Sequence, residues 1–94
     1  MDHYDQNTLN AVLDKMHFYQ RREWIIKILI ARKGLILHKM AARHRMTAAY
    51  LSGAIVGTFP WRQRIVTTLE AELDMELTAL LTEDEAKKLG YKIV

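Results

Sequence analysis

The sequence predicts an all-α fold: a compact bundle of five to six short helices in a single domain over residues 1–94. Apolar residues recur at spacings of three and four along most of the chain, as they do on one face of a helix. Residue types that start and stop helices separate these segments. Ninety-four residues, half of them hydrophobic and only one of them proline, are enough for one core without disulfides or metals.

The N-terminal third predicts two helical segments. The first carries four apolar residues at helical spacing: Leu9, Val12, Leu13 and Met16. A second run begins at Arg22 and ends in basic residues before Gly34, which suits a left-handed C-cap. Residues 17–22 fit either a break or a continuation of the helix. We therefore divide the chain into an additional N-terminal helix over 1–20, a core over 22–82, and a C-terminal helix and tail over 83–94.

The middle of the chain predicts two short helices joined by a turn, within residues 37–57. Thr47 is a suitable N-cap for the second helix, and Gly57 suits its end. Pro60 comes just before a fourth apolar segment, where its missing N–H costs nothing. We expect one shared core from Met40, Ala41, Met46, Leu51, Ile55, Ile65 and Leu69.

The last part of the chain contains a sequence typical of a helix start. Thr82 and Glu85 have the spacing of a capping box, and Gly90 suits the end of the helix that follows. Residues 91–94 form a short β-prone tail, which would either add to a sheet edge across a dimer or fray.

Charge is unevenly distributed along the chain. The net charge is +3, yet residues 21–64 contain ten Lys or Arg and the single acid Glu23, whereas both ends are acidic. A basic middle predicts a polyanion-binding surface, with a solvated basic face as the plain alternative.

Several classes of function are disfavoured. The chain contains no cysteine, which excludes disulfides and cysteine-ligated zinc. The longest apolar run, residues 24–37, is broken by three basic residues and is too charged to span a membrane. The polar N-terminus is unlike a secretory signal, so we expect a cytoplasmic protein.

We expect no enzymatic activity, no cofactor and no metal. Ser52 lacks the Gly-x-Ser-x-Gly context of a nucleophile. His38 and His44 are six residues apart and fall on different helix faces, which makes a poor metal pair. The acidic residues between 70 and 76 are interpreted as a solvated face. We interpret the aromatic residues Trp24, Phe59 and Trp61 as packing residues and not as base-stacking platforms.

The segment LHKMAARHRMTAAYLSGAIVG, residues 37–57, has the pattern of a helix-turn-helix. Met40 and Met46 are apolar on either side of the turn, and Ala41 is small where two helix backbones approach. Spacing alone also fits other helical hairpins. With the preceding helix and the segment after Pro60, it resembles the lambda-repressor-like group of DNA-binding domains. Ner-like phage regulators and the cyanase N-terminal domain are similar in look, the latter through AAYLSGAIVG and LEAELDMELTALL.

This resemblance implies a helical fold and DNA binding. In cyanase the chemistry belongs to a second domain, so that similarity implies fold and not activity. The sequence departs from the family at the turn, where Arg45 stands in place of a common Gly and His44 in place of an apolar residue. The outer positions of the second helix lack Arg, Lys, Asn and Gln, the side chains that read base edges.

We therefore predict a DNA-binding transcriptional regulator in which phosphate contacts dominate and base readout is modest. The predicted contacts to double-stranded DNA are Lys39, Arg43, Arg45, Thr47, Ala48, Tyr50, Ser52, Arg62 and Arg64. The apolar stripe of the first helix is either core cover or a dimer surface. We expect a homodimer, because a bundle of this size rarely needs an extra helix to close the core. The alternative is a protein-interaction module, whose partner helix would pack on the small residues Ala48, Ala49, Ser52 and Gly53.

Overall fold

Five α-helices and one 3₁₀ turn make up the chain in the computed structural model, which describes residues 6–92. In chain order they are α1 (Gln6–Arg32), α2 (Leu37–Arg43), α3 (Ala48–Val56), α4 (Gln63–Leu73), the 3₁₀ turn (Thr78–Leu80) and α5 (Glu83–Leu89). No strand occurs within residues 6–92, which confirms the all-α prediction. Of the predicted β-prone tail, residues 91 and 92 are neither helix nor strand, and residues 93–94 lie outside the described residues.

Helix α1 contains both of the helical segments that were predicted in the N-terminal third, and residues 17–22 continue the helix between them. It runs for 27 residues without interruption, about 40 Å at 1.5 Å per residue. No Gly or Pro occurs within it, so nothing forces a break at 17–22. The boundary that we placed after residue 20 therefore does not separate two helices. Among the side chains of α1 that the structure describes, those of Arg22 and Ile26, both in its second half, are fully buried.

The predicted helix ends are confirmed. The Thr47 hydroxyl accepts a hydrogen bond from the Tyr50 N–H at 3.0 Å, as an N-cap does. Gly57 ends α3 with φ of 94°, a left-handed conformation that other residues rarely adopt. Thr82 and Glu85 form the reciprocal hydrogen bonds of a capping box at the start of α5.

A single hydrophobic core contains residues from each of the helices α1, α2, α3, α4 and α5. Six of the seven residues predicted for it are fully buried, and Met46 is half-buried against them. Trp61 is buried as predicted, and its indole N–H donates to the Ala54 carbonyl oxygen at 2.8 Å. The expectation for Trp24 is wrong: it faces solvent and is 71% exposed, because it lies on α1 away from the side that carries Arg22 and Ile26.

A buried ion pair anchors the C-terminal helix. The Arg22 guanidinium donates to Glu85 Oε1 at 2.6 Å and to Oε2 at 3.3 Å, and also to the Leu80 carbonyl oxygen at 3.1 Å. The guanidinium carbon Cζ of Arg22 lies 4.2 Å from the centre of the Trp61 ring. Glu85 further accepts the Trp61 N–H at 2.5 Å and the Thr82 N–H at 2.9 Å. These contacts join α1, the α3–α4 connection and α5.

Burial alone would raise the pKa of Glu85. The hydrogen bonds from Arg22, Thr82 and Trp61 outweigh it and hold that pKa below its ordinary value. Glu85 is therefore a carboxylate inside the fold at neutral pH.

Candidate nucleic-acid interface

The turn between α2 and α3 spans residues 44–47 and contains a left-handed residue that is not glycine. Arg45 has φ of 57°, at the position where the resembled family often has Gly. Its N–H donates back to the Ala42 carbonyl oxygen at 3.2 Å, and the Met46 N–H donates to the Ala41 oxygen at 3.0 Å. These bonds close the end of α2 and direct the chain into α3, while the Arg45 side chain remains exposed.

Arg64 holds this turn from α4. Its guanidinium Nη2 donates to the carbonyl oxygens of His44 at 2.8 Å and of Arg45 at 2.6 Å. Those two oxygens lie just past the end of α2, where carbonyl groups lack a helical partner. Arg64 therefore positions the turn in addition to contributing an exposed charge.

Arg43 is engaged by a carboxylate. At the last residue of α2, its guanidinium binds both carboxylate oxygens of Glu72 on α4. The oxygen Oε2 of Glu72 also lies 2.8 Å from His44 Nε2. The hydrogen bond from Arg43 lowers the pKa of Glu72, partial burial opposes that shift, and His44 adds to the lowering. The same carboxylate raises the pKa of Arg43.

Three of the predicted cations remain free for a ligand. Lys39, Arg45 and Arg62 are exposed, and no carboxylate in the part of the chain that the structure describes pairs with them. Arg62 is the N-cap residue of α4, and its side chain makes no cap hydrogen bond. Since Arg64 bonds the carbonyl of Arg45, the start of α4 lies beside the α2–α3 turn, which brings Arg45 and Arg62 to neighbouring segments.

Fewer basic residues are available to bind a polyanion than the count in the sequence predicts. Of the ten basic residues between 21 and 64, three are held by carboxylates in the fold: Arg22 by Glu85, Lys27 by Glu23 and Arg43 by Glu72. Two of those acids, Glu72 and Glu85, lie outside the basic segment.

The outer surface of α3 carries small side chains, and Phe59 covers part of it. The Tyr50 ring stacks on Phe59, with centroids 5.3 Å apart and planes at 14°. A Cβ at Gly53 would lie 2.6 Å from the Phe59 ring, so this glycine is required for that contact. Phe59 thus fills part of the face that the protein-interaction alternative assigns to a partner helix. Ala49 remains exposed, and Ala48 is half-buried.

Ser52 lies away from the arginines. It is half-buried and lines a groove of about 270 Å³ between α1, the start of α2 and α3. Its neighbours there are mostly apolar and include Ile30, Leu35 and Val56. The structure thus brings Arg43, Arg45 and Arg64 together around one turn, Thr47 and Tyr50 at the start of α3, and Ser52 at a different surface.

Glu72 and His44 are the residues of this surface that sequence reasoning missed. Glu72 was interpreted as one of several solvated acids, and it lies 29 residues beyond Arg43. No local pattern indicates such a pair. Within the described residues, no cluster of His, Asp and Glu could hold a metal ion, and no helix is long and apolar enough to cross a membrane.

Comparisons with protein-family models, with curated proteins and with solved structures give no match to this chain. The surface itself is therefore the basis for assigning a function to this chain.

Proposed function

We propose that the chain is a cytoplasmic DNA-binding transcriptional regulator of the helix-turn-helix type, in which contacts to phosphate dominate. The observation that carries the proposal is the set of exposed cations without carboxylate partners around the α2–α3 pair: Lys39, Arg45 and Arg62. Cations of this kind neutralise phosphates and release the counterions that DNA carries, which favours binding to any sequence.

The start of α3 supports modest base readout. Ala48 and Ala49, in the first turn of this helix beside the α2–α3 turn, are not buried. Neither can make the bidentate contacts by which Arg, Asn or Gln distinguish bases. Discrimination between sequences would then come from the hydroxyl of Thr47, from bridging water or from DNA shape.

As a homodimer, the chain would present two such surfaces. Pairs of helix-turn-helix motifs reach half-sites about 34 Å apart, one turn of DNA. Three free cations in each of two copies predict a slope of log affinity against log salt of roughly −5, at about −0.9 for each phosphate.

The deciding experiment is a salt titration of binding to short DNA duplexes of several sequences. The variant Arg45→Gly/Arg62→Ala should weaken binding to all of them alike and make the slope shallower by roughly 2 per protomer. Glycine is chosen at residue 45 because it accepts the φ of 57° without strain. The matched control Lys87→Ala/Lys88→Ala removes two exposed charges from α5 and should leave the slope unchanged.

The variant Ala49→Gln should leave nonspecific affinity nearly unchanged, because it adds no charge. Absence of binding at low salt would contradict the proposal, as would a double variant that binds like the control.

A protein-interaction module is the second candidate, and one observation favours it. The groove beside Ser52 is mostly apolar, and Val56 at its edge and Ile36 nearby in the chain are exposed large hydrophobic residues. Apolar surface of this kind is typical of protein contacts and not of phosphate contacts. A failed DNA titration would leave this candidate in place.

A further inference from the structure

The groove between α1, the start of α2 and α3 is an apolar surface that the DNA-binding proposal does not use. Its lining includes Ile55, which is 2% exposed, and the half-buried side chains of Ile30, Leu35 and Leu37. Val56, also in the lining, is 44% exposed. The three half-buried residues pack against the hydrophobic core. An apolar side chain that enters the groove therefore contacts the edge of that core.

The size of the groove suits side chains from a helix. Its volume is about 270 Å³, and an apolar cavity of about 150 Å³ holds one benzene molecule, so the groove accommodates about two aliphatic side chains. Helix α1 lines it with Lys27 and Ala31, and α3 lines it with Ser52 and Val56. The residues of each pair are four apart, and a helix rises about 6 Å over four residues. The groove thus matches two side chains that are one helical turn apart.

The elements around the groove carry basic residues and no acid. The sequence contains eight Lys or Arg and no Asp or Glu between residues 24 and 69, and the whole lining falls within that stretch. At the end of α1, Arg32 and Lys33 are exposed and pair with no carboxylate in the described part of the chain. Lys27 pairs with Glu23 in a surface contact of small strength, which a partner's carboxylate can replace. A positive potential therefore surrounds an apolar groove.

We infer that this groove binds an amphipathic helix of a partner protein, with two aliphatic residues four apart and Asp or Glu beside them. The aliphatic pair enters the groove, and the carboxylates face the cations at the end of α1. Such a helix places apolar anchors at i and i+4, as helices bound in hydrophobic grooves do. The inference gives the second candidate function its class of partner, and it does not depend on DNA binding.

Other occupants suit the groove less well. Addition of a strand needs a sheet edge, and no strand occurs within residues 6–92. Proline-rich segments dock in grooves lined by aromatic side chains, whereas this lining contains none. A small molecule that filled the volume would leave Ile36 in water, a residue that lies between two lining residues and is 46% exposed.

The first test is selection of a displayed library of amphipathic helical peptides against the full chain. We expect the enriched peptides to carry two aliphatic residues four apart and a net negative charge. Fluorescence anisotropy of a labelled enriched peptide should show an affinity that falls as salt is added, because salt screens the contacts to exposed cations. The matched peptide with Lys at each acidic position should not bind. A selection that enriches nothing, or that enriches neutral or basic peptides, would overturn the inference.

The second test locates the bound peptide with exposed residues, whose replacement should leave the helical circular dichroism unchanged. Val56→Ser should weaken binding about five-fold through lost apolar contact, and the matched control Met75→Ser, at a residue that is also 44% exposed, should not. Ala31→Glu should weaken binding strongly, while Ala11→Glu makes the same charge change on an exposed part of α1 outside the groove and should have little effect.

Two results would assign the groove to another occupant and overturn the inference. One is self-association of the full chain that Val56→Ser abolishes, which would assign the groove to a second copy. The other is peptide binding that Val56→Ser and Met75→Ser weaken equally, which would place the peptide elsewhere. Failure of the DNA titration alone would leave the inference intact, because its tests measure peptide binding.

Discussion

Two Arg–Glu pairs with the same chemistry hold different parts of this molecule, and burial decides what each one does. In both, one guanidinium binds both oxygens of one carboxylate across a long stretch of chain. Arg22 is 1% exposed and stacks on Trp61, whereas Arg43 is 49% exposed. The first pair is isolated from water and from ligands, so it can serve only the fold. The second faces solvent, where a phosphate can compete with Glu72 for Arg43.

The largest expected effect concerns the buried pair. Replacement Arg22→Met keeps the apolar stem and leaves Glu85 as a buried carboxylate without its cation. Removing one partner of a buried pair costs about 3–5 kcal/mol of unfolding free energy. Urea unfolding should show that loss, while the matched variant Arg43→Met should leave the midpoint close to that of the parent.

The double variant Arg22→Met/Glu85→Gln sharpens this result. It removes the stranded charge, yet the N–H groups of Trp61 and Thr82 still need the acceptor at residue 85. We expect partial recovery. Equal losses for Arg22→Met and Arg43→Met would contradict the contrast between the two pairs.

An intermediate effect is expected in acid. The folded-state pKa of Glu85 lies below its unfolded value of about 4.3, so its contribution to stability is present above that pH and is lost as pH falls through the folded-state pKa. The free energy of unfolding should therefore decrease between pH 6 and pH 3. Glu85→Gln should be less stable at pH 6 and should show a shallower decrease. A variant curve parallel to the parent's would show that another group controls the acid response.

Local signals in the sequence predicted the local structure. Thr47, Gly57 and the Thr82–Glu85 box act within a few residues of themselves, so their spacing was sufficient to place helix ends. The core of α2, α3 and α4 followed from helical periodicity for the same reason.

The pairs between distant residues could not be predicted in this way. Arg22 and Glu85 are 63 positions apart, and Arg43 and Glu72 are 29 apart. Such partners are chosen by tertiary packing, which periodicity does not report. The prediction that Trp24 is a packing residue was wrong for a related reason. Helix α1 is apolar on more than one side, and composition alone does not say which side faces the core.

The smallest expected effect tests whether the exposed pair restrains the proposed interface, and it depends on the proposed DNA binding. Glu72→Gln has nearly the same shape but no charge, so Arg43 is released toward a phosphate. Affinity for DNA should rise several-fold at low salt, and the salt slope should steepen by about 0.9 per protomer. The control Glu76→Gln removes one exposed acid that pairs with no cation in the described residues, which isolates the effect of net charge. If both variants gain equally and neither slope changes, Arg43 stays with the protein when DNA binds, and the two Arg–Glu pairs are alike in serving only the fold.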